Sequence, residues 1–201
     1  MAAAVGADFL GLVGPMPSGP GILTLAEARA VAQALPDDAR PILLTAAETA
    51  QDIAREAAFV GVEAVQVVRP LTGREARALS GQGLHYLQVI HVEGPDALDL
   101  IDLYAEHCDA FLLDSGRPSQ GQFGGTGRVH DWTLSAAFCD RAPRPVYLAG
   151  GLTPETVGAA IRQVRPAGVD ICSGLRRNGA LDPALLDTFM AAIDASGDFA
   201  G

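Results

Sequence analysis

Seven short apolar runs, set at a regular beat and separated by amphipathic stretches, constrain this chain more than any other feature. They are Ala7–Val13, Pro41–Leu44, Ala64–Val68, Tyr86–Val92, Ala110–Asp114, Val146–Ala149 and Val169–Cys172. Each is apolar at successive positions. That is the pattern of a parallel strand covered on both faces, since a strand with one wet face would alternate. Helix-start signals fill the gaps. Thr24-Leu-Ala-Glu27, Thr45-Ala-Ala-Glu48 and Thr72-Gly-Arg-Glu75 read as capping boxes, in which hydroxyl and carboxylate each satisfy a free backbone N–H. Thr153-Pro154 and Asp182-Pro183 put a cap before a proline at the first helical position, and Gly61 reads as a helix end. The repeating unit of about 25 residues is near the lower limit for a (β/α)₈ barrel. The pattern therefore predicts an α/β, TIM-barrel-like fold as a single domain over 1–201, with a doubly wound open sheet as the alternative.

A closed barrel of this kind has eight strands, and seven are visible. The first follows Met1-Ala-Ala-Ala-Val5-Gly6-Ala7-Asp8, which reads as the tail of one helix leading into a new strand. The expectation is a barrel whose first strand is absent from the chain. Its seam would be open, with two unpaired edges that favour pairing with another chain or aggregation.

Composition removes several function classes. All 14 basic residues are arginine. Without lysine there is neither a Schiff-base amine nor a phosphate-binding P-loop. A net charge of −10 argues against nucleic acid or an anionic membrane as partner, while leaving room for a small anion in a local pocket. No apolar run reaches the roughly 18–20 residues that span a bilayer, and Met1 to Asp8 has no signal-peptide layout. Three cysteines without a CxxC pair suit reduced thiols and a cytoplasmic location. Four scattered histidines suggest no metal site. His91 ends a strand and so is placed to face a pocket, whereas His130-Asp131 reads as a helix start with Trp132 packed behind it.

Glycine-rich segments follow the last three strands: Phe123-Gly-Gly-Thr-Gly-Arg-Val-His-Asp-Trp132, Gly150-Gly151 and Ser173-Gly174. Glycine at a strand end lets backbone approach a ligand closely, and such loops are the recurrent phosphate site of these barrels. Gly150 and Gly151 taken alone would read as a tight turn.

These blocks carry a resemblance. Phe111-Leu-Leu-Asp-Ser115, Gly124-Gly-Thr-Gly-Arg-Val-His-Asp-Trp132, Leu148-Ala-Gly-Gly-Leu152-Thr-Pro-Glu155 and Val169-Asp-Ile-Cys-Ser-Gly174 resemble the phosphoribosylanthranilate isomerase family. Gly6-Ala-Asp-Phe-Leu-Gly11 and Gly61-Val-Glu-Ala-Val-Gln66 match it more loosely. The resemblance runs from residue 1 to about 190. It implies a (β/α)₈ barrel and an Amadori rearrangement in tryptophan biosynthesis, by acid and base, with no cofactor. It implies a small phosphorylated sugar-type ligand. It makes Asp114 the general acid that protonates the ring oxygen as the sugar opens. It makes Gly125, Thr126, Gly150, Gly151, Ser173 and Gly174 the phosphate contacts. Read without the resemblance, Asp114 is as well explained as a loop cap.

The departures are specific. The family's general base is a cysteine on the first strand, in a block that would lie upstream of Met1. Cys108 and Cys139 are misplaced for that role; Cys172 reads either as a substitute or as a buried thiol. The family's Ser-Pro-Arg, whose arginine binds the substrate carboxylate, is Gly19-Pro20-Gly21. Its Val-Gln-Leu-His-Gly is Val65-Gln-Val-Val-Arg69, so Arg69, like His91, is a possible substrate contact. Its Gly-Thr-Gly-Lys ends in Arg128, and the acid after Ser-Gly-Val is Arg176, beside Arg177. Three readings follow: an isomerase of this family, a catalytically impaired phosphate-ligand-binding barrel, or an isomerase or epimerase of another sugar phosphate.

Overall fold

Seven parallel strands form one sheet in strict chain order: β1 (Leu10–Val13), β2 (Pro41–Thr45), β3 (Ala64–Val67), β4 (His85–His91), β5 (Ala110–Asp114), β6 (Val146–Leu148) and β7 (Gly168–Val169). This computed structural model describes residues 2–17, 19–116 and 130–197. A doubly wound sheet reverses its strand order at a switch point; this order never reverses, so that alternative falls. Right-handed crossovers in one direction put the helices on one face of the curling sheet. They are α1 (Leu25–Ala34), α2 (Ala50–Val60), α3 (Gly73–Ser80), α4 (Leu100–Tyr104), α5 (Trp132–Arg141), α6 (Val157–Val164) and α7 (Pro183–Asp194). An antiparallel hairpin of β8 (Arg176–Arg177) and β9 (Ala180–Leu181) follows β7. β1 and β7 are the two edges, and among the described residues they do not pair with each other.

Strand alternation sorts the core. Val65, Val67, Ile90, Phe111, Leu113 and Leu148 pack outward against the helices. The opposite parity fills the concave side in layers: Ile42, Ala64, Leu87 and Ala110 below, then Val68, Val89, Leu112 and Ala149. Stacked inward layers are how a barrel interior becomes a core rather than a pore. The next inward position on β5, above Leu112, is Asp114.

Several expected boundaries shift. β1 begins at Leu10 rather than Ala7, because its neighbour β2 begins only at Pro41 and residues 7–9 have no strand partner among the described residues. β7 ends at Val169 rather than Cys172, because the chain turns into a 3-10 segment at Ser173–Leu175. Residues Ala2–Val5 form a 3-10 turn.

The caps divide similarly. Thr24 and Glu27 form the expected reciprocal box, Gly61 ends α2 in the left-handed conformation at φ 84°, and Asp182 caps α7 ahead of Pro183. Thr45 is no cap. It is the last residue of β2, and its hydroxyl donates to Glu56 at 2.5 Å. The cap of α2 is Thr49, which accepts from the Asp52 amide at 3.1 Å. Thr72 does cap α3, but the Glu75 carboxylate accepts from the Ala50 amide at 2.8 Å, tying α3 to the start of α2. Thr153-Pro154 precedes α6 by a turn, and the residue at its N-terminus is Thr156.

Candidate active site

The C-terminal ends of the strands surround a cavity that takes in Asp114, Gly150, Gly151, Asp170, Cys172 and Ser173. Asp114 closes β5, opposite His91 at the end of β4. Only 13% of its side chain is exposed. Burial raises its pKa from the ordinary carboxylate range, against opposing contributions from His91 and from the Ser115 and Gly116 backbone. His91 Nε2 lies 2.8 Å from the Val68 carbonyl oxygen. A carbonyl only accepts, so Nε2 carries the proton. Nδ1 then faces the Asp114 carboxyl, 4.0 Å away.

A second carboxylate stands at the same mouth. Asp170 follows β7, and its amide continues the ladder to Leu148 O at 2.9 Å. Crowding by the strand ends, then the neighbouring charge of Asp114, push it up to about 6. Asp170 is exposed to solvent, so water moderates the effect of that crowding. Sequence reasoning misses Asp170. The signal is there: an acid at the end of an apolar strand run, as in the case of Asp114.

A carboxyl whose pKa is higher folded than unfolded binds its proton more tightly in the native state. It adds stability below the unfolded value, near 4, and that stability is lost as pH rises through about 6. Asp170→Asn removes this loss. The melting temperature of the variant relative to the parent should therefore climb between pH 4 and pH 7. A difference constant across that range would contradict the environment described for Asp170.

The glycine turns meet the same mouth. Gly150 and Gly151 have φ of 80° and 66°. A Cβ on Gly150 would sit 2.7 Å from the Ser115 amide nitrogen, so the turn after β6 presses directly on the chain leaving Asp114. Gly174 packs against the Leu152 carbonyl, joining the turns after β6 and β7. Among the described residues, no backbone acceptor takes the N–H of Gly151, Ser173 or Gly174. Neighbouring uncommitted amides of this kind form anion-binding concavities.

Gly125 and Thr126 lie outside the described residues. Arg69 pairs with Glu48 at 3.3 Å and does not line this cavity. His91 lines an adjoining hollow with Glu93 and Asp96. Of the cysteines, Cys172 is half-buried at the mouth. Burial pushes Cys108 up to about 12 and Cys139 up to about 11, which leaves both as unreactive thiols. Asp131 caps α5, accepting from the Thr133 amide at 2.8 Å. Among the described residues, no group of acids, histidines and cysteines is placed to hold a metal, and no helix is long and apolar enough to cross a membrane.

The model of the N-(5'-phosphoribosyl)anthranilate isomerase family matches residues 28–192. Among individual relatives, the chain is 35% identical over 194 residues to N-(5'-phosphoribosyl)anthranilate isomerase 2 of Methanosarcina mazei, covering 94% of this chain and 86% of that one. It is 34% identical over 201 residues to the Halobacterium salinarum isomerase, covering 98% and 90%. Among solved structures, the Thermotoga maritima phosphoribosylanthranilate isomerase superposes with a TM-score of 0.80 at 27% identity, over 96% of this chain and 91% of the other. An isomerase in complex with reduced 1-(o-carboxyphenylamino)-1-deoxyribulose 5-phosphate gives 0.77 at 25% identity, with the same coverage.

Proposed function

Because the chain belongs to the N-(5'-phosphoribosyl)anthranilate isomerase family, we propose that it converts N-(5'-phosphoribosyl)anthranilate to its 1-deoxyribulose isomer, a step of tryptophan biosynthesis. The observation that carries this reading is the pairing of a shielded carboxyl, Asp114, with glycine turns whose amides are uncommitted, at one end of one barrel.

The reaction moves protons and needs no outside oxidant or reductant. The Asp114 carboxyl, whose hold on its proton burial strengthens, gives that proton to the ring oxygen as the C1–O bond breaks, and the nitrogen lone pair forms the iminium. A base then removes the C2 proton, giving an enolamine that becomes the aminoketose. Among the described groups at the mouth, Asp170 has the matching chemistry: it is a solvent-exposed carboxylate, ionised at neutral pH, whose proton affinity its surroundings raise. The phosphate would lie in the cradle of Gly150, Gly151, Ser173 and Gly174, held by backbone N–H groups.

The test is to mix the protein with freshly prepared N-(5'-phosphoribosyl)anthranilate and follow the aldosylamine and ketose signals by NMR. Conversion well above the spontaneous rate is expected; a rate equal to the blank would overturn the reading. One feature favours a second reading, a phosphate-ligand-binding barrel without turnover: Gly19-Pro20-Gly21 stands where the resemblance implies a substrate-binding arginine. Both readings predict that inorganic phosphate protects the fold. At about 100 times the dissociation constant, a ligand adds about 2.7 kcal/mol, equivalent to a rise of about 5–10 °C in Tm for a chain of this size. No thermal shift in a phosphate titration would remove the cradle from both.

A further inference from the structure

One cation reaches across the seam between β1 and β7. Arg176 opens β8, just past Ser173. Its Nη1 donates to the Gly179 carbonyl at 2.8 Å, which fixes the guanidinium over the hairpin. Its Nη2 lies against Gly21, in the segment that follows β1. A Cβ on Gly21 would stand 3.0 Å from that nitrogen, and Gly21 has a φ of 73°. Its Nε is shielded from solvent and has no acceptor among the described residues.

Two other arginines are committed to carboxylates: Arg69 to Glu48 at 3.3 Å and Arg177 to Asp182 at 2.9 Å. Among the described residues, no carboxylate pairs with Arg176. Shielded guanidinium donors are seldom left without acceptors, because an unsatisfied buried donor costs free energy. The planar fork of arginine matches a carboxylate in two parallel hydrogen bonds.

We propose that Arg176 is the specificity-determining cation for the aromatic end of the substrate, receiving the carboxylate of its aminobenzoate group. The assignment rests on the isomerase reading above. The geometry links two departures that look independent in the sequence. The resemblance implies an arginine where Gly19-Pro20-Gly21 stands and an acid where Arg176 stands. In the fold these positions touch. A side chain at residue 21 would occupy the space of the Arg176 guanidinium, so the glycine and the arginine form one exchange. The guanidinium that one segment lacks is supplied by the other, three residues past Ser173 of the cavity lining.

The test uses the whole chain and two ligands: reduced 1-(o-carboxyphenylamino)-1-deoxyribulose 5-phosphate and the phenylamino analogue without the carboxylate. Calorimetry on the parent protein should show the carboxylated ligand favoured by about 10- to 150-fold, the range of a charged hydrogen bond. Arg176→Gln should erase this preference by weakening only the carboxylated ligand, while the thermal shift with inorganic phosphate stays unchanged. Arg176→Lys should restore part of the preference. Gly21→Ala should reduce it without altering any charge. The ratio of two affinities within one variant is insensitive to partial unfolding.

Equal weakening of both ligands and of phosphate would make Arg176 a phosphate contact and overturn the assignment. An unchanged preference in Arg176→Gln would overturn it while leaving the isomerase reading intact. If the parent binds neither organic ligand, the isomerase reading fails and this assignment fails with it.

Discussion

Replacing Asp114 with asparagine is expected to lower kcat/KM for N-(5'-phosphoribosyl)anthranilate by about 10²–10⁴-fold, the usual share of a general acid. Asparagine keeps the size of the side chain and loses its acidic proton. The cavity and the affinity for inorganic phosphate should therefore stay close to those of the parent protein. The pH profile makes the test sharper. The acid works only while protonated, and burial raises the pKa of Asp114. The parent rate should thus fall on the alkaline side, at a pH above the range in which an ordinary carboxylic acid loses its proton. On the acid side it should fall as Asp170 takes up its proton near 6. Together they give a bell-shaped profile. Asp114→Asn should lose the alkaline limb along with the rate. Turnover near the parent level in the variant would end the role assigned to this carboxyl. The same burial predicts a compensating gain: at neutral pH the variant should melt higher than the parent, because the fold no longer holds a carboxyl whose ionised form it disfavours.

Gly174→Ala is expected to cost about 3 kcal/mol of stability, the upper part of the range for forced overpacking. The corresponding fall in Tm is about 6–12 °C for a chain of this size. The reason is local and rigid. A Cβ at residue 174 would fall well inside van der Waals contact with the Leu152 carbonyl oxygen, and 3.0 Å from Ile171 Cδ1. The side-chain atom can rotate away. The carbonyl belongs to the backbone just beyond Gly151, so relief requires the turns after β6 and β7 to part. Those turns carry the uncommitted amides of Gly151 and Ser173, so phosphate protection should be lost together with stability. Gly83→Ala supplies the control. It has a φ of 73°, and an added methyl there would meet nothing within 4 Å, so it tests left-handed backbone strain alone. That strain is worth about 1–2 kcal/mol. If Gly174→Ala proves no worse than Gly83→Ala and still binds phosphate, the two turns are not a single cradle.

Much of this molecule follows from local chemistry. The run Ala110–Asp114 has only one role in an α/β chain, and its alternation already placed Asp114 on the same face as Ala110 and Leu112. Thr24, Gly61 and Asp182 acted as caps because each satisfies amides or carbonyls within a turn of itself. Thr45 failed as a cap because its hydroxyl was claimed by Glu56, a residue on the helix that follows. Glu75 was likewise drawn to the amide of Ala50, on a neighbouring helix. In both cases a partner distant in sequence outcompeted the local one.

Strand periodicity determined, from the sequence alone, an α/β barrel-like sheet, and the glycine turns after β6 and β7 marked the strand ends where an anion site is expected, because each rests on residues that act within a few positions of themselves. The tertiary structure alone decided the rest. It decided that Asp170 shares the mouth with Asp114, that Glu48 engages Arg69, and that Arg176 lies against Gly21. These are contacts between segments far apart in the chain, and the curl of the sheet, which brings the segments after β1 and β7 into contact, has no counterpart in any local pattern of residues.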